Sequence, residues 1–479
     1  MRTEMFIAGK WTGGSGATFT TTDPATGEVI AEVPEATSAD VDAAVEAAAT
    51  AFASPEWADM LPARRAKLLL DVADQLERRA EEFARLETLD QGQPLGVSTR
   101  VTVPNAVEHL RYYAGWATKI TGTTVPLSVP DVDHRTRREP IGVCALITPW
   151  NFPLMIAMWK LAPALATGNT VVIKPAEQTP LTTLLLAEVL EQAGMPAGVV
   201  NVVTGGPEVG KALVAHPKVA KISFTGSTPV GREIAADAGR ALKRVSLELG
   251  GKAPSIIAAD ADIDAVIVGN LMAGLGNSGQ ACAAAARFYV DRSRADEFAT
   301  KAAAAASGMR LGPGLDPATR LGPLTSLEHL HKVDGYVRIG EAEGAQLLTG
   351  GRRADGELAS GYFYEPTVFA GVTQDMRIAR EEIFGPVLSV LPYDDPDELV
   401  ELANDTPYGL SAYIWSNDIR TANRLAHRIK AGTVLINLGP GLDAAAPWGG
   451  MKASGLGREM GWEAIEAYTE VKSIWTGLA

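Results

Sequence analysis

One cysteine, Cys282, closes the run Asn277-Ser278-Gly279-Gln280-Ala281-Cys282, among small residues with no apolar periodicity. A lone cysteine is most often a small buried hydrophobe. Here the flanking glycine and alanines let another group approach the sulfur closely, and a thiolate is a nucleophile towards carbonyl carbon. Two other residues are of the types such a nucleophile needs. Asn151, in Pro149-Trp150-Asn151-Phe152-Pro153, is held between aromatics and prolines as a fixed oxyanion donor must be, the alternative being a cap on the following helix. Glu248 stands between leucines in Leu247-Glu248-Leu249-Gly250-Gly251. At an edge strand it points to solvent; partly buried, it has a raised pKa and serves as a general base.

Phosphate-binding turns are the next chemistry to look for. Gly274-Leu275-Gly276-Asn277-Ser278-Gly279 matches GxGxxG literally, but it follows a helix-like apolar stretch, whereas the dinucleotide fingerprint lies between a strand and the helix it opens. The better turn is Phe224-Thr225-Gly226-Ser227-Thr228-Pro229-Val230-Gly231, after the strand-like KISF and before a helical pattern, where backbone N–H groups can hold a pyrophosphate. Arg232-Glu233 stand where a P-loop requires Lys and Ser/Thr. Lys174-Pro175-Ala176-Glu177 ends the run TVVIK. A lysine and a carboxylate there can bind ribose hydroxyls, and the carboxylate repels a 2′-phosphate, which favours NAD over NADP; the plainer reading is a solvated ion pair.

The elements that must position these residues are α/β in pattern. From residue 142 the runs GVCALIT, TVVIK, VVNVV, KISF and RVSLEL alternate with helical stretches, as in a doubly wound parallel sheet. Thr179 reads as a cap with Pro180 at the first helical position and Gly194 as the stop. Thr37-x-x-Asp40 reads as a capping box, and residues 62 to 90 as a long amphipathic helical pattern. Gly250-Gly251 reads as a hinge, after which a second set follows: APSIIAA, RFYVD, PTVFAGV, PVLSVLPY, LSAYIWS and TVLIN. Residues 120 to 140 and the end of the chain fit neither set and read as β-ribbon, a type of exposed strand liable to pair with another chain.

The bulk composition bounds the partners. The 479 residues exceed one core. Forty-three basic against fifty-seven acidic residues, a net charge of -14, oppose nucleic acid or an anionic membrane as partner. No signal peptide or membrane span is evident, and a cytoplasmic location is expected. Two cysteines, 144 and 282, give neither a disulfide framework nor a metal spacing. Of six histidines only His329 and His331 lie close together, and both are expected to be solvated. No metal is assigned.

Seven motifs stand in one order along the chain: TPWNFP (148–153), KPAE (174–177), FTGS (224–227) with Gly231, LELGG (247–251), GQAC (279–282) with Arg287, EEIFGPV (381–387) and PWGGMKASGLGRE (447–459). From about Ile7 to Val471 the chain thereby resembles the aldehyde dehydrogenase superfamily of NAD(P)-dependent enzymes. The resemblance implies two Rossmann-like α/β domains, one NAD-binding (1–119 and 141–250) and one catalytic (251–453), with a β-ribbon oligomerisation element (120–140 and 466–479) and a homodimer or homotetramer. It implies Cys282 as nucleophile, Asn151 with the Cys282 backbone N–H as oxyanion hole, Glu248 as the base for the hydrolytic water, and Lys160 with Glu459 as its proton relay. Around NAD it implies Lys174 and Glu177 on the adenosine ribose, Ser227 on the pyrophosphate, Glu382 and Phe384 on the nicotinamide ribose, Trp150 as a wall, and Thr148, Pro149, Gly226, Gly231 and Leu249 beside them. Members that pass the acyl group to CoA typically lack the glutamate, so its presence here implies hydrolysis to a free acid.

The departures concern the substrate. Leu438 to Ala446 replaces a stretch that often carries aromatics and holds no arginine, and Trp448 stands where phenylalanine is usual. With Phe152, Ile156, Trp159 and Leu442 the expected tunnel is apolar, suited to aromatic or medium-chain aldehydes. A semialdehyde or betaine-aldehyde dehydrogenase is the alternative within the family; a catalytically silent binding relative is the alternative outside enzymology.

Overall fold

The β-branched runs become strands, and their unbroken apolar character reflects burial on both faces, as a parallel sheet imposes. The computed structural model describes residues 2–14 and 16–478. Its strands are β1 (Met5–Ile7), β2 (Lys10–Thr12), β3 (Thr18–Thr22), β4 (Val29–Pro34), β5 (Val132–Pro140), β6 (Val143–Ile147), β7 (Thr170–Lys174), β8 (Val200–Val202), β9 (Val219–Thr225) and β10 (Arg244–Glu248). Then come β11 (Ala253–Ile257), β12 (Ala285–Asp291), β13 (Gln346–Thr349), β14 (Thr367–Ala370), β15 (Val387–Tyr393), β16 (Ser411–Trp415), β17 (Thr433–Ile436), β18 (Gly455–Leu456) and β19 (Thr469–Gly477).

The first sheet has the order β18-β10-β9-β6-β7-β8-β1-β2. Its five central strands are parallel. The chain order reverses between β6 and β9, so a crevice opens beyond their carboxyl ends, where open α/β sheets bind ligands. The second sheet, β13-β14-β15-β12-β11-β16-β17, is parallel except for its edge strand β13. β5 and β19 form an antiparallel two-stranded ribbon paired from Thr469↔Pro140 to Gly477↔Val132. Residues 120 to 131, expected in the ribbon, form no strand; they lie against it through the bridge Thr124↔Arg135 and hydrogen bonds between Thr123 and Thr136.

Four local expectations need correction. The pattern over 62 to 90 is two helices, Pro62–Arg78 and Ala80–Gln91, broken at Arg79. The helix after β7 starts at Leu181, with Pro180 as its cap, and the Thr179 hydroxyl makes no hydrogen bond. The Leu181 N–H is taken instead by Asp90 Oδ2 at 2.9 Å, a partner from a distant helix that no local pattern reveals. His329 is 9% exposed rather than solvated. Gly250-Gly251 joins the two sheets but is pinned: the Gly251 N–H donates to Glu382 Oε1 at 2.8 Å and Ser454 Oγ donates to the Gly250 carbonyl at 2.7 Å. The Thr37–Asp40 capping box forms as read, and the literal GxGxxG lies at the end of a helix, Ile263–Leu275, rather than after a strand. Among the described residues no helix is long and apolar enough to cross a membrane.

Candidate active site

The cysteine turn is built by an unusual backbone. After helix Ile263–Leu275, residues Asn277, Ser278 and Gly279 have φ of 51°, 55° and 72°, a left-handed bend that ordinary side chains disfavour. At Gly279 a Cβ would lie 2.1 Å from the Gly385 carbonyl oxygen, so only glycine fits. Ser278 Oγ donates to the Gly322 carbonyl at 2.7 Å, and Gln280 Oε1 accepts the Thr325 N–H at 2.9 Å. The segment that looks permissive in sequence is therefore a fixed turn. It presents Cys282 half-buried. Burial, then the charges of Glu248 and Glu382, push the thiol up to about 12, so the resting group is a thiol.

Asn151, just beyond β6, is tied to that turn from both sides. Its Nδ2 donates to the Gln280 carbonyl at 2.9 Å, and Asn277 Nδ2 donates to the Asn151 carbonyl at 2.9 Å. It does not cap the helix Pro153–Ala166, whose N-cap is Phe152. Nδ2 has a second N–H, with no further acceptor among the described residues.

Glu248 ends β10 and is buried, 3% exposed. β10 is no edge strand there, because the short β18 pairs with it through Glu248↔Gly455. Neither carboxylate oxygen has a hydrogen-bond partner. Burial and the neighbouring Glu459 hold the carboxyl well above its ordinary range, against the opposing charges of Lys160 and Arg458. Lys160, fully buried on the helix Pro153–Ala166, forms an ion pair with Glu459 and donates to Ser223 Oγ at 3.1 Å. Ser223 Oγ in turn donates to Glu459 Oε1 at 3.0 Å. A thiol, a base without a fixed partner and a buried ion pair thus lie close enough for their charges to act on one another.

The crevice beyond β6 and β9 has the features of a dinucleotide site. The hydroxyls of Thr148 and Thr225, at the carboxyl ends of these strands, are buried without hydrogen-bond partners. Ser227 is the N-cap of helix Thr228–Arg240 and makes no side-chain cap bond, so the free N–H groups of that helix end face the crevice. Cβ atoms at Gly226 and Gly231 would strike the Phe224 ring at 2.4 Å and Leu249 at 2.3 Å. At the end of β7, Lys174 Nζ is 3.7 Å from Glu177 Oε2. Trp150 meets Phe384 edge-on at 5.3 Å and His329 at 5.1 Å between centroids. His329 Nε2 donates to the Phe384 carbonyl at 2.7 Å, and Phe384 holds a φ of 63°. These residues suit a dinucleotide: unpaired donors for a pyrophosphate, a carboxylate and lysine for a ribose, an aromatic wall for a ring.

Around the sulfur, Met155, Ile156, Trp159, Leu410, Trp448 and Met460 form an apolar cluster on which Phe152, Ala283 and Leu442 pack. Over essentially the whole chain, residues 11–474, the sequence matches the profile of the aldehyde dehydrogenase family. The chain belongs to that family. Phenylacetaldehyde dehydrogenase of Pseudomonas fluorescens is 47% identical, covering 98% of this chain and 95% of its own. The NAD+ complex structure of an aldehyde dehydrogenase from Bacillus cereus superposes with a TM-score of 0.98 at 46% identity, over 100% of this chain and 97% of that one. Betaine aldehyde dehydrogenase from Staphylococcus aureus, in complex with NAD+, gives 0.97 at 40% identity, over 99% and 95%.

In this member of the aldehyde dehydrogenase family, several residues expected from the sequence pack together, and others beside them carry no local signal. All five expected tunnel residues, Phe152, Ile156, Trp159, Leu442 and Trp448, lie in the cluster with Cys282. Met155 was recoverable, since 152, 155, 156 and 159 share one helical face. Leu410 and Met460 come from bends remote in sequence, beside β16 and before the helix Gly461–Ala467, and had no local signal. Asn105, on helix Val103–Trp116, was also unforeseen: its Oδ1 accepts the Trp159 indole N–H at 2.9 Å, and it puts a polar amide beside the aromatic wall.

Proposed function

We propose that this chain oxidises hydrophobic aldehydes, aromatic or medium-chain, to the free carboxylic acids with NAD. The observation that carries this reading is the half-buried Cys282 thiol, packed on an apolar, aromatic cluster and close enough to the unpartnered Glu248 carboxyl to feel its charge. Cys282 Sγ attacks the aldehyde carbon as its proton passes to the Glu248 carboxylate. The thiohemiacetal oxyanion is held by the second N–H of Asn151 Nδ2 and by the Cys282 backbone N–H. Bound NAD supplies the hydride acceptor that leaves a thioester on the sulfur. Glu248 passes that proton to the Glu459 and Lys160 pair and, ionised again, takes one from the water that cleaves the thioester, returning it to the departing Cys282 sulfur.

For the cofactor, Lys174 and Glu177 hold the adenosine ribose, and Ser227 with the helix N-terminus holds the pyrophosphate, beside Thr148, Pro149, Gly226, Gly231 and Leu249. Glu382 and Phe384 hold the nicotinamide ribose, with Trp150 as the wall. The Glu177 carboxylate opposes a 2′-phosphate. The ribbon leaves Val471 and Trp475 57% and 58% exposed, and we infer that it pairs with a second copy in a dimer or tetramer. Two unpaired thiols fit the reducing cytoplasm.

A quaternary-ammonium aldehyde is the second reading, favoured by the Trp159 and Trp448 rings, tilted against each other with centroids 6.2 Å apart, since indole faces attract cations. A panel of phenylacetaldehyde, hexanal, betaine aldehyde and succinate semialdehyde, read by NADH absorbance, decides. Phenylacetaldehyde and hexanal are expected to exceed the other two in kcat/KM by at least about tenfold, the penalty for bringing an uncompensated charge into an apolar site. A betaine aldehyde preference installs the second reading; a semialdehyde preference overturns both. With the best substrate, Asn151→Ala is expected to lower kcat about 100- to 1000-fold, the usual effect of removing an oxyanion donor. A loss below tenfold removes Asn151 from that role.

A further inference from the structure

A carboxyl group buried behind the active site takes no part in this reaction. Glu87, on the helix Ala80–Gln91, is fully buried. It lies at the start of the helix Pro153–Ala166, where its Oε1 accepts the Leu154 N–H at 3.4 Å and Gln93 Nε2 at 3.3 Å. The Thr182 hydroxyl of the helix Leu181–Gln192 faces the same carboxyl. That helix start needs an outside acceptor. Its N-cap residue is Phe152, which makes no side-chain cap bond, Pro153 has no N–H, and Leu154 therefore offers the first amide of the helix. Asn151 directly precedes this turn. Its own amide and carbonyl are bonded to the cysteine turn at Gln280 and Asn277, while the backbone three residues on is bonded to Glu87. Segment 151–154 is thus held between two anchors, one in each half of the molecule. A sister group one turn along, Asp90, accepts the Leu181 N–H at 2.9 Å and Thr21 Oγ1 at 3.1 Å, so one helix offers a buried carboxyl to each of two helix starts.

We propose that Glu87 is a positioning residue for aldehyde oxidation, fixing the first turn of the helix Pro153–Ala166 and, through it, the oxyanion-binding amide of Asn151. This rests on the reading of Asn151 given above. Burial pushes the Glu87 carboxyl up to about 7 and the Asp90 carboxyl up to about 8. At neutral pH Glu87 is therefore partly protonated, yet either form offers Leu154 an oxygen. The acceptor oxygen, rather than the charge, is what the turn requires.

Glu87→Met and Glu87→Gln separate the two. Methionine fills a similar volume without an oxygen, whereas glutamine keeps length and acceptor and loses the charge. Glu87→Met is expected to lower kcat at least about fivefold, with the KM for aldehyde and the dissociation constant for NAD changed less than twofold. Glu87→Gln is expected to recover at least threefold of that loss. A smaller fall in Glu87→Met, a Glu87→Gln enzyme as slow as Glu87→Met, or NAD binding lost in step with kcat overturns the proposal. The Asn151→Ala enzyme distinguishes the two ways of failing. If it keeps its kcat, the oxyanion reading has failed; if it is slow while Glu87→Met is fast, only the role of Glu87 has.

Discussion

Replacing Cys282 with alanine is expected to lower kcat/KM for aldehyde oxidation by about four orders of magnitude or more, since removal of a covalent nucleophile leaves only binding and oxyanion stabilisation behind. The variant should fold and bind NAD, because the sulfur is only half-buried and its turn is fixed by Asn277, Ser278, Gly279 and Gln280 rather than by the thiol. NADH formation and NAD titration by fluorescence quenching, measured side by side, check both halves. A variant that retains more than one per cent of kcat removes Cys282 from the chemistry. The thiol's environment adds a second readout. Burial and the Glu248 and Glu382 charges push it up to about 12, so thiolate is scarce at neutral pH. Only the thiolate reacts with an alkylating agent. Inactivation of the cofactor-free wild type by iodoacetamide is therefore expected to accelerate about tenfold per pH unit between pH 7 and 9. A rate that is flat over that range means a thiolate already formed, and the proton transfer to Glu248 loses its purpose.

How much of this was legible in the sequence depends on the range of the contacts involved. The runs TVVIK and RVSLEL appear as strands β7 and β10 because a parallel strand buried on both faces writes its environment into consecutive residues. Glycines at 226 and 231 mark a turn where a Cβ would press on the Phe224 ring and the Leu249 side chain, and that too is local. Glu248 shows the limit. Its position at a strand end was plain, but its burial is the work of β18, which arrives from Gly455–Leu456 and turns an edge into an interior. The capping of Leu181 by Asp90 fails to show for the same reason: the neighbouring Thr179 has the right chemistry and the wrong place. His329 looked solvated beside His331, yet it is buried against Trp150 and donates to the Phe384 carbonyl. Asn105 is a polar residue on an otherwise ordinary helix, and only the Trp159 indole it accepts from gives it meaning. Motifs carry chemistry that is contiguous, whereas protection from water comes from chain remote in sequence.

Replacing Glu248 with glutamine is expected to divide the reaction at the thioester. Acylation can proceed with the amide in place, because a trace of thiolate attacks the aldehyde at the oxyanion site, while hydrolysis loses its base. A burst of about one NADH per active site followed by a steady rate reduced on the order of 100- to 10,000-fold is therefore expected, the range general-base catalysis typically spans. Stopped-flow absorbance measures the burst, and mass spectrometry of the quenched enzyme should find the acyl group on Cys282. If the steady rate falls with no burst, loss of the proton transfer from Cys282 rather than loss of hydrolysis limits the variant, and the expected division at the thioester fails. The pH dependence gives an independent check. Burial and Glu459 raise the carboxyl well above the ordinary carboxylate range, although Lys160 and Arg458 pull the other way. A general base works in its ionised form, so deacylation in the wild type should climb as pH rises through that elevated pKa and level off above it. In Glu248→Gln the limb should vanish, leaving a rate that rises only with hydroxide. Both Glu248 oxygens lack a protein partner. A carboxyl held by hydrogen bonds could not turn from the thiol to the water, whereas this one is free to serve each in succession.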